Sequence, residues 1–271
     1  MKLRAQTKKP ITLTPIRPNA GLTADYRKEL DKLIEEMHDS LVYWVGASYK
    51  ANEPEIAQDA SPAKALQSAM QKLFARLRKK FYSKAPWLAK RFATKAMQRV
   101  DKAFEASLNA KGMEVTFKMT AAQNDVLQAT IQQQVGLIKS IADQHLTQVQ
   151  GMVMRSVQSG RDVKTLTEEL QKQFGVTKRR AKFIALSQNN IATAALTKTR
   201  QKELGLGAKW LHSHAGREPR PTHLELNGKP YDISKGAWDK DANGKGKGAF
   251  VYPGELPRCR CVSVSVIPGF E

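Results

Sequence analysis

Cysteine is scarce, with two residues in a chain of 271. Two thiols cannot build a disulfide framework, so the disulfide-scaffold class is excluded. Long apolar runs are missing as well. No stretch approaches the roughly 18 residues that a membrane span needs, and no membrane partner is expected. At the N-terminus Lys2, Arg4, Lys8 and Lys9 are followed by Pro10, Pro15 and Pro18 rather than by a continuous apolar segment, which argues against a secretory signal. The protein is expected to be made and kept in the cytoplasm, or in something assembled there. Acidic residues are also short: 25 Asp and Glu face 45 Lys and Arg, a formal charge of +20. That excess favours polyanion partners, because lysines and arginines that neutralise phosphates release condensed counterions. The expected contact with DNA is electrostatic and not sequence-specific.

What is present is mainly helical pattern, in a chain long enough for one or two domains with a real core. Residues 1–20 are basic and Pro-punctuated and read as a flexible arm. A basic helical region follows over 21–118. Thr23 is a candidate N-cap, and Tyr26, Leu30, Leu33, Ile34, Met37, Leu41 and Val45 fall on one helical face. Asn52, Pro54 and the Ser61–Pro62 pair mark a break. From Lys72 through Lys102 the chain holds eleven basic residues and one acid, Asp101, interleaved with Phe81, Trp87, Phe92 and Val100. The aromatics read as core. Lys72, Arg76, Arg78, Lys79, Lys80, Lys84, Lys90, Arg91, Lys95 and Arg99 are the candidate nucleic-acid contacts. Pro86 is expected to break or kink the helix, and Val115–Phe117 reads as a turn or short strand.

Residues 119–207 read as a long helix plus a helical segment. The long helix runs from about Thr120 to Ser159 on a near-helical apolar period, with His145 packed or at the surface and Gly160 as a C-cap. A short helix over Thr165–Phe174, ended by Gly175, and another capped by Thr177 and closed at Gly205 come next. From 208 to 271 the pattern changes to a small α+β module. Lys209–His212 reads as a strand, Thr222–Leu226 as a short helix or strand, Asn227–Gly228 as a turn, and Arg260–Ile267 as a closing strand. The fold class is therefore α+β, mostly helical through the N-terminal and central regions.

Trp210–Cys261 concentrates the chemistry: three of the five His (His212, His214, His223), both Cys (Cys259, Cys261) and two of the four Trp. The order of residues here carries a resemblance. After the helix RAKFIALSQNNIATAA come Trp210, then Arg220 and His223, then Asn227–Gly228, then Tyr252–Pro253–Gly254, then Cys259–Arg260–Cys261. Over about 120–265 this resembles the phage Mu F-like head morphogenesis family, minor head proteins related to the gene 7 protein of phage SPP1. Two departures stand out. The family's Ile–Ala–Arg–Thr–Glu reads Ile184–Ala185–Leu186–Ser187–Gln188 here, and an acid usual upstream of the Arg–x–x–His pair is replaced by Ala215, Gly216 and Arg217, with only Glu218 close by. An activity resting on acids at those places is put in doubt. The resemblance implies a non-enzymatic minor head protein that joins the procapsid in few copies. It would contact portal and capsid proteins, assist assembly and DNA packaging or delivery, and reside in the virion after assembly in the host cytoplasm.

Two chemical readings of the terminal module follow from the residues themselves. As a zinc site, Cys259 and Cys261 would supply thiolates, and His223 with His212 or His214 would supply imidazoles, a set suited to tetrahedral Zn²⁺. Against this stands the reading of Cys261 as a small buried hydrophobe, with Arg220 and His223 tying loops together. The alternative to a head protein is an enzyme, either a metal-dependent nuclease using His212, His214, His223, Arg220, Asp232 and Glu225 or a toxin-like transferase. Asp239, Asp241 and Asn243 open like a calcium loop, but position 250 is Phe where a bidentate Glu is needed, so the segment reads as solvated.

Overall fold

The computed structural model describes residues 10–51, 62–159, 162–213 and 219–269. Among them the chain forms four long helices, α1 (Ala20–Ala51), α2 (Pro62–Asn109), α3 (Ala121–Gln158) and α4 (Val163–Glu203), followed by a small mixed module. The fold is α+β. Among the described residues no helix is long and apolar enough to cross a membrane.

The helix ends show why the chain folds in these segments. Asn19 Oδ1 accepts the Leu22 amide at 2.9 Å and so caps α1, four residues before the Thr23 expected from sequence. Thr120 Oγ1 accepts the Gln123 amide at 3.1 Å at the start of α3. Asp162 Oδ1 accepts the Thr165 amide at 3.0 Å at the start of α4. Gly205, at φ +61°, ends α4 in the left-handed conformation that glycine tolerates. The expected Gly160 cap lies outside the described residues.

Two expected helix breaks are not there. Helix α2 is continuous through Pro86. The lost amide bond is outweighed by burial of Phe81, Ala85, Leu88, Ala89 and Phe92 along one face. Helix α4 runs unbroken through Gly175, so the two short helices are one. Thr177, expected as a cap, lies mid-helix and donates its hydroxyl back to the Gln173 carbonyl at 2.9 Å. Val115–Phe117 joins no strand. It is held by the Phe117 amide donating to Glu105 Oε1 at 3.0 Å.

The chain divides into two compact units. One comprises Thr23–Arg91 and Ile131–Ala185. Its core includes Leu30, Ile34, Leu41, Leu66, Ile138, Ile141, Leu146 and Val149, all essentially solvent-free. Polar ties cross it: the Tyr26 hydroxyl donates to Gln134 Oε1 at 3.0 Å, and that of Tyr49 to the Val153 carbonyl at 3.2 Å. The other unit comprises Met1–Leu22, Phe92–Thr130 and Leu186–Glu271. Here Arg200, 2 % exposed, pairs with Asp101 through Nε and Nη2 at 2.8 and 3.0 Å and with Glu203 at 2.9 Å.

That second unit carries the sheet. Strands β1 (Ile11–Thr12), β2 (Gly207–Leu211), β3 (Pro230–Tyr231) and β6 (Val262–Ile267) form an antiparallel sheet in the order β1-β6-β2-β3. Strands β4 (Ala237–Asp239) and β5 (Ala249–Val251) form a separate hairpin. The long register is β2 against β6, from Gly207 opposite Val266 to Leu211 opposite Val262. Residues 10–19 do more than an arm would. Ile11 and Thr12 pair with Ile267 and Val266 at the sheet edge, and Leu13 and Ile16 are buried. Prolines at 10, 15 and 18 keep the segment extended, which suits an edge strand. A short helix, α5 (Pro221–Glu225), connects β2 to β3.

Candidate functional site

Three elements aim side chains at one point. Helix α5 is opened by Pro221, whose fixed φ suits a first helical position, and presents His223. The segment before β6 turns at Arg258, a non-glycine residue at φ +63°, and presents Cys259 and Cys261. Strand β4 alternates buried Ala237, exposed Trp238 and buried Asp239, which turns Asp239 inward.

Three of these side chains face one another through a single ring nitrogen. His223 Nδ1 is 3.5 Å from Cys259 Sγ and 3.6 Å from Cys261 Sγ. All three residues are buried, and their donor atoms lie within 4.8 Å of one another. On the far side of the ring His223 Nε2 is 3.1 Å from Asp239 Oδ2. Burial opposes ionisation of Asp239, but the Asp241 amide, the Thr222 hydroxyl and His223 together hold its carboxyl below the usual range. An ionised carboxylate only accepts, so Nε2–H donates to it and Nδ1 turns its lone pair to the sulfurs. Trp210 meets the imidazole edge-on, centroids 4.9 Å apart, and belongs with Ala237, Val251 and both cysteines to the apolar cluster around the site. The two thiols titrate in opposite directions. Donation from the Cys261 thiol and from two backbone amides draws Cys259 down against burial, while the same contact and burial push Cys261 up.

The remaining motif residues build the frame. The His212 amide donates to Asn227 Oδ1 at 2.9 Å. The Gly228 amide donates to the Trp210 carbonyl at 2.7 Å, with Gly228 at φ +77°. Arg220 Nη2 donates to the Pro257 carbonyl at 3.0 Å, tying α5 to the cysteine segment. From α4, Asn190 Nδ2 donates to the Cys259 carbonyl at 2.9 Å. Beside the three donors lies a cavity of about 220 Å³, lined among others by His212, Arg220, Arg258 and Arg260.

The structure thus brings together His223, Cys259 and Cys261 out of the five candidate ligands. His212 is buried and lines the cavity but stands outside the group of three. His214 lies outside the described residues. The carboxylates of the nuclease reading are placed elsewhere. Glu225 is exposed and pairs with Lys240 at 2.8 Å, and Asp232 binds its own turn through Ser234. Asp239, read from sequence as part of a solvated loop, is 1 % exposed and is the carboxylate behind His223. The signal for it was the two-residue alternation Ala237–Asp239, which the calcium-like spacing around it obscured. Of the ten basic candidates on α2, Arg78, Lys80 and Arg91 pair with Asp143, Glu36 and Glu29. Arg76 stacks on Trp44 at 5.1 Å, and Lys72, Lys79, Lys84, Lys90 and Arg99 are exposed. Lys95 is half-buried. Phe81 and Phe92 are core, as expected, but Trp87 is 55 % exposed beneath Arg91.

Residues 147–264 match the family described as Phage Mu protein F like protein. An uncharacterized protein of Haemophilus influenzae is 31 % identical over 137 residues, which is 51 % of this chain and 28 % of that protein. The chain thus spans little more than a quarter of that relative's length. No solved structure matches.

Proposed function

We propose that this chain is a minor component of a phage head. In this reading it is non-enzymatic, aids procapsid assembly and DNA packaging or delivery, and contacts the portal and DNA. The family match over 147–264 carries the reading. The exposed Lys72, Lys79, Lys84 and Lys90 along α2, in a chain of net charge +20, support electrostatic contact with packaged DNA. The separation of Glu225 and Asp232 from His223 supports a role without turnover.

Particle composition is the test. Heads purified from an infection are expected to contain this chain in few copies, cross-linkable to the portal, and heads assembled without it to fill poorly with DNA. Absence from purified heads, with normal filling when the chain is deleted, overturns the proposal. DNA contact is tested separately. Retention on DNA should fall steeply as salt rises, and absent or salt-insensitive binding removes it.

A further inference from the structure

The geometry points to a zinc ion held by His223 Nδ1, Cys259 Sγ and Cys261 Sγ, with Asp239 fixing the imidazole from behind and the fourth position turned to the adjoining cavity. Ligand geometry is the first support. Zn–S bonds of about 2.3 Å and Zn–N bonds of about 2.0–2.1 Å at a tetrahedral angle put sulfur and nitrogen about 3.5–3.6 Å apart. The two separations here are 3.5 and 3.6 Å. Both sulfurs thus stand at the separation from Nδ1 that a shared tetrahedral ion requires.

The second support is the ring's other nitrogen. A buried carboxylate on Nε2, at 3.1 Å, is the arrangement that fixes the tautomer and orientation of metal-bound histidines. Asp239 is itself anchored by the Asp241 amide at 3.0 Å, so the ring cannot swing away without leaving a buried acceptor unsatisfied. Two thiolates and one imidazole form a soft donor set that favours zinc over calcium or magnesium. The cavity side carries Arg220, Arg258 and Arg260. The group completing the coordination shell is therefore a water or a small anion. This inference is independent of the head-protein reading.

The test uses the full chain, reduced and reconstituted with Zn²⁺. One zinc per chain after desalting is expected, and none in a Cys259→Ser/Cys261→Ser variant. That variant replaces core side chains and is liable to misfold, so the unaltered chain is also probed directly. Both thiols should be shielded from an aromatic disulfide reagent while zinc is bound and released by a chelator. Cobalt in place of zinc should give thiolate charge-transfer bands and the visible bands of a tetrahedral ion. Asp239→Asn, nearly isosteric, should weaken zinc binding by about 10- to 100-fold, and His212→Ala should keep its zinc. Sub-stoichiometric zinc in the unaltered chain, thiols equally reactive with and without zinc, or a Cys259–Cys261 disulfide in its place overturns the site. Unchanged affinity in Asp239→Asn overturns the part given to Asp239, and loss of zinc in His212→Ala overturns the open position.

Discussion

Replacing Arg200 by Met tests the polar centre of the unit that carries the sheet. The guanidinium is 2 % exposed, makes a two-pronged contact with Asp101 and a third bond to Glu203, and lies 4.6 Å above the Phe117 ring. Methionine keeps most of the aliphatic stem, so the change isolates the charge. Removing one member of a buried ion pair costs about 3–5 kcal/mol, mainly because its partner is left charged without compensation. Here the partners are not fully enclosed: the Asp101 and Glu203 side chains are 19 % and 23 % exposed. They recover some hydration, which places the cost at the lower end, about 3 kcal/mol. Denaturant unfolding measures it, with hydrogen exchange over 92–109 and 186–203 assigning the loss to this unit. Adding Asp101→Asn to Arg200→Met should cost less than it does in the unaltered chain, by about 1.5–3 kcal/mol for the charged bonds already lost. A loss below about 1 kcal/mol for Arg200→Met, or full additivity in the double variant, would refute the argument.

Two further perturbations probe other parts of the chain. His145 is buried, donates from Nδ1 to Thr177 Oγ1 at 2.8 Å, and has no hydrogen-bond partner at Nε2 among the described residues. Burial, with a smaller contribution from His38, draws its pKa from the ordinary 6.5 to about 4. The unfolded chain therefore binds this proton first. Stability should fall as pH drops from about 6.5 toward 4, by up to about 3 kcal/mol, and this contribution should level off below that. His145→Gln should remove that part of the slope in pH-dependent denaturant melts, and an identical slope in both proteins would count against it. Gly236 sits at φ +95°, and a Cβ there would stand 2.8 Å from the Val251 carbonyl oxygen. Gly236→Ala should therefore destabilise the β4–β5 hairpin by about 2–4 kcal/mol, read as a lowered unfolding midpoint. A change under about 0.5 kcal/mol would show that the turn relaxes freely.

Much of the helical core is legible in the sequence because it depends on one period. Leu30, Ile34, Met37 and Leu41 recur at helical spacing, and all four are buried. The unbroken α4 is legible in its register, though not in its composition. Leu166, Leu170, Thr177, Ala181 and Ala185 are buried in steps of four and seven that pass through Gly175 without a shift. One glycine costs about 1 kcal/mol in a helix interior, less than that face gains by burial. The site was legible only in part. His223, Cys259 and Cys261 announce themselves by residue type, but they are 36 and 38 positions apart, and only the topology sets them around one nitrogen. Asp239 was hidden because its neighbours are charged and glycine-rich. Its burial comes from a three-residue strand whose direction local composition does not encode.

The family match begins well before the small module, and within the unit that holds the site the structure supplies a reason. The cysteine segment is not positioned by the sheet alone. Asn190 reaches from α4 to the Cys259 carbonyl, and Gln201 Nε2 bonds Ser263 and Ser265 of β6 at 2.9 and 2.8 Å. Gly254, at φ +87°, stands so close to α4 that an added Cβ would meet that of Ala194 at 3.1 Å. The end of α4 therefore acts as the floor on which the His–Cys cluster is assembled. A module cut at the start of β2 would lose three polar ties and an apolar wall at once. The buried thiols would be left without the backbone that aims them. The structural unit that holds the cluster is consequently the end of α4 with the sheet and its loops.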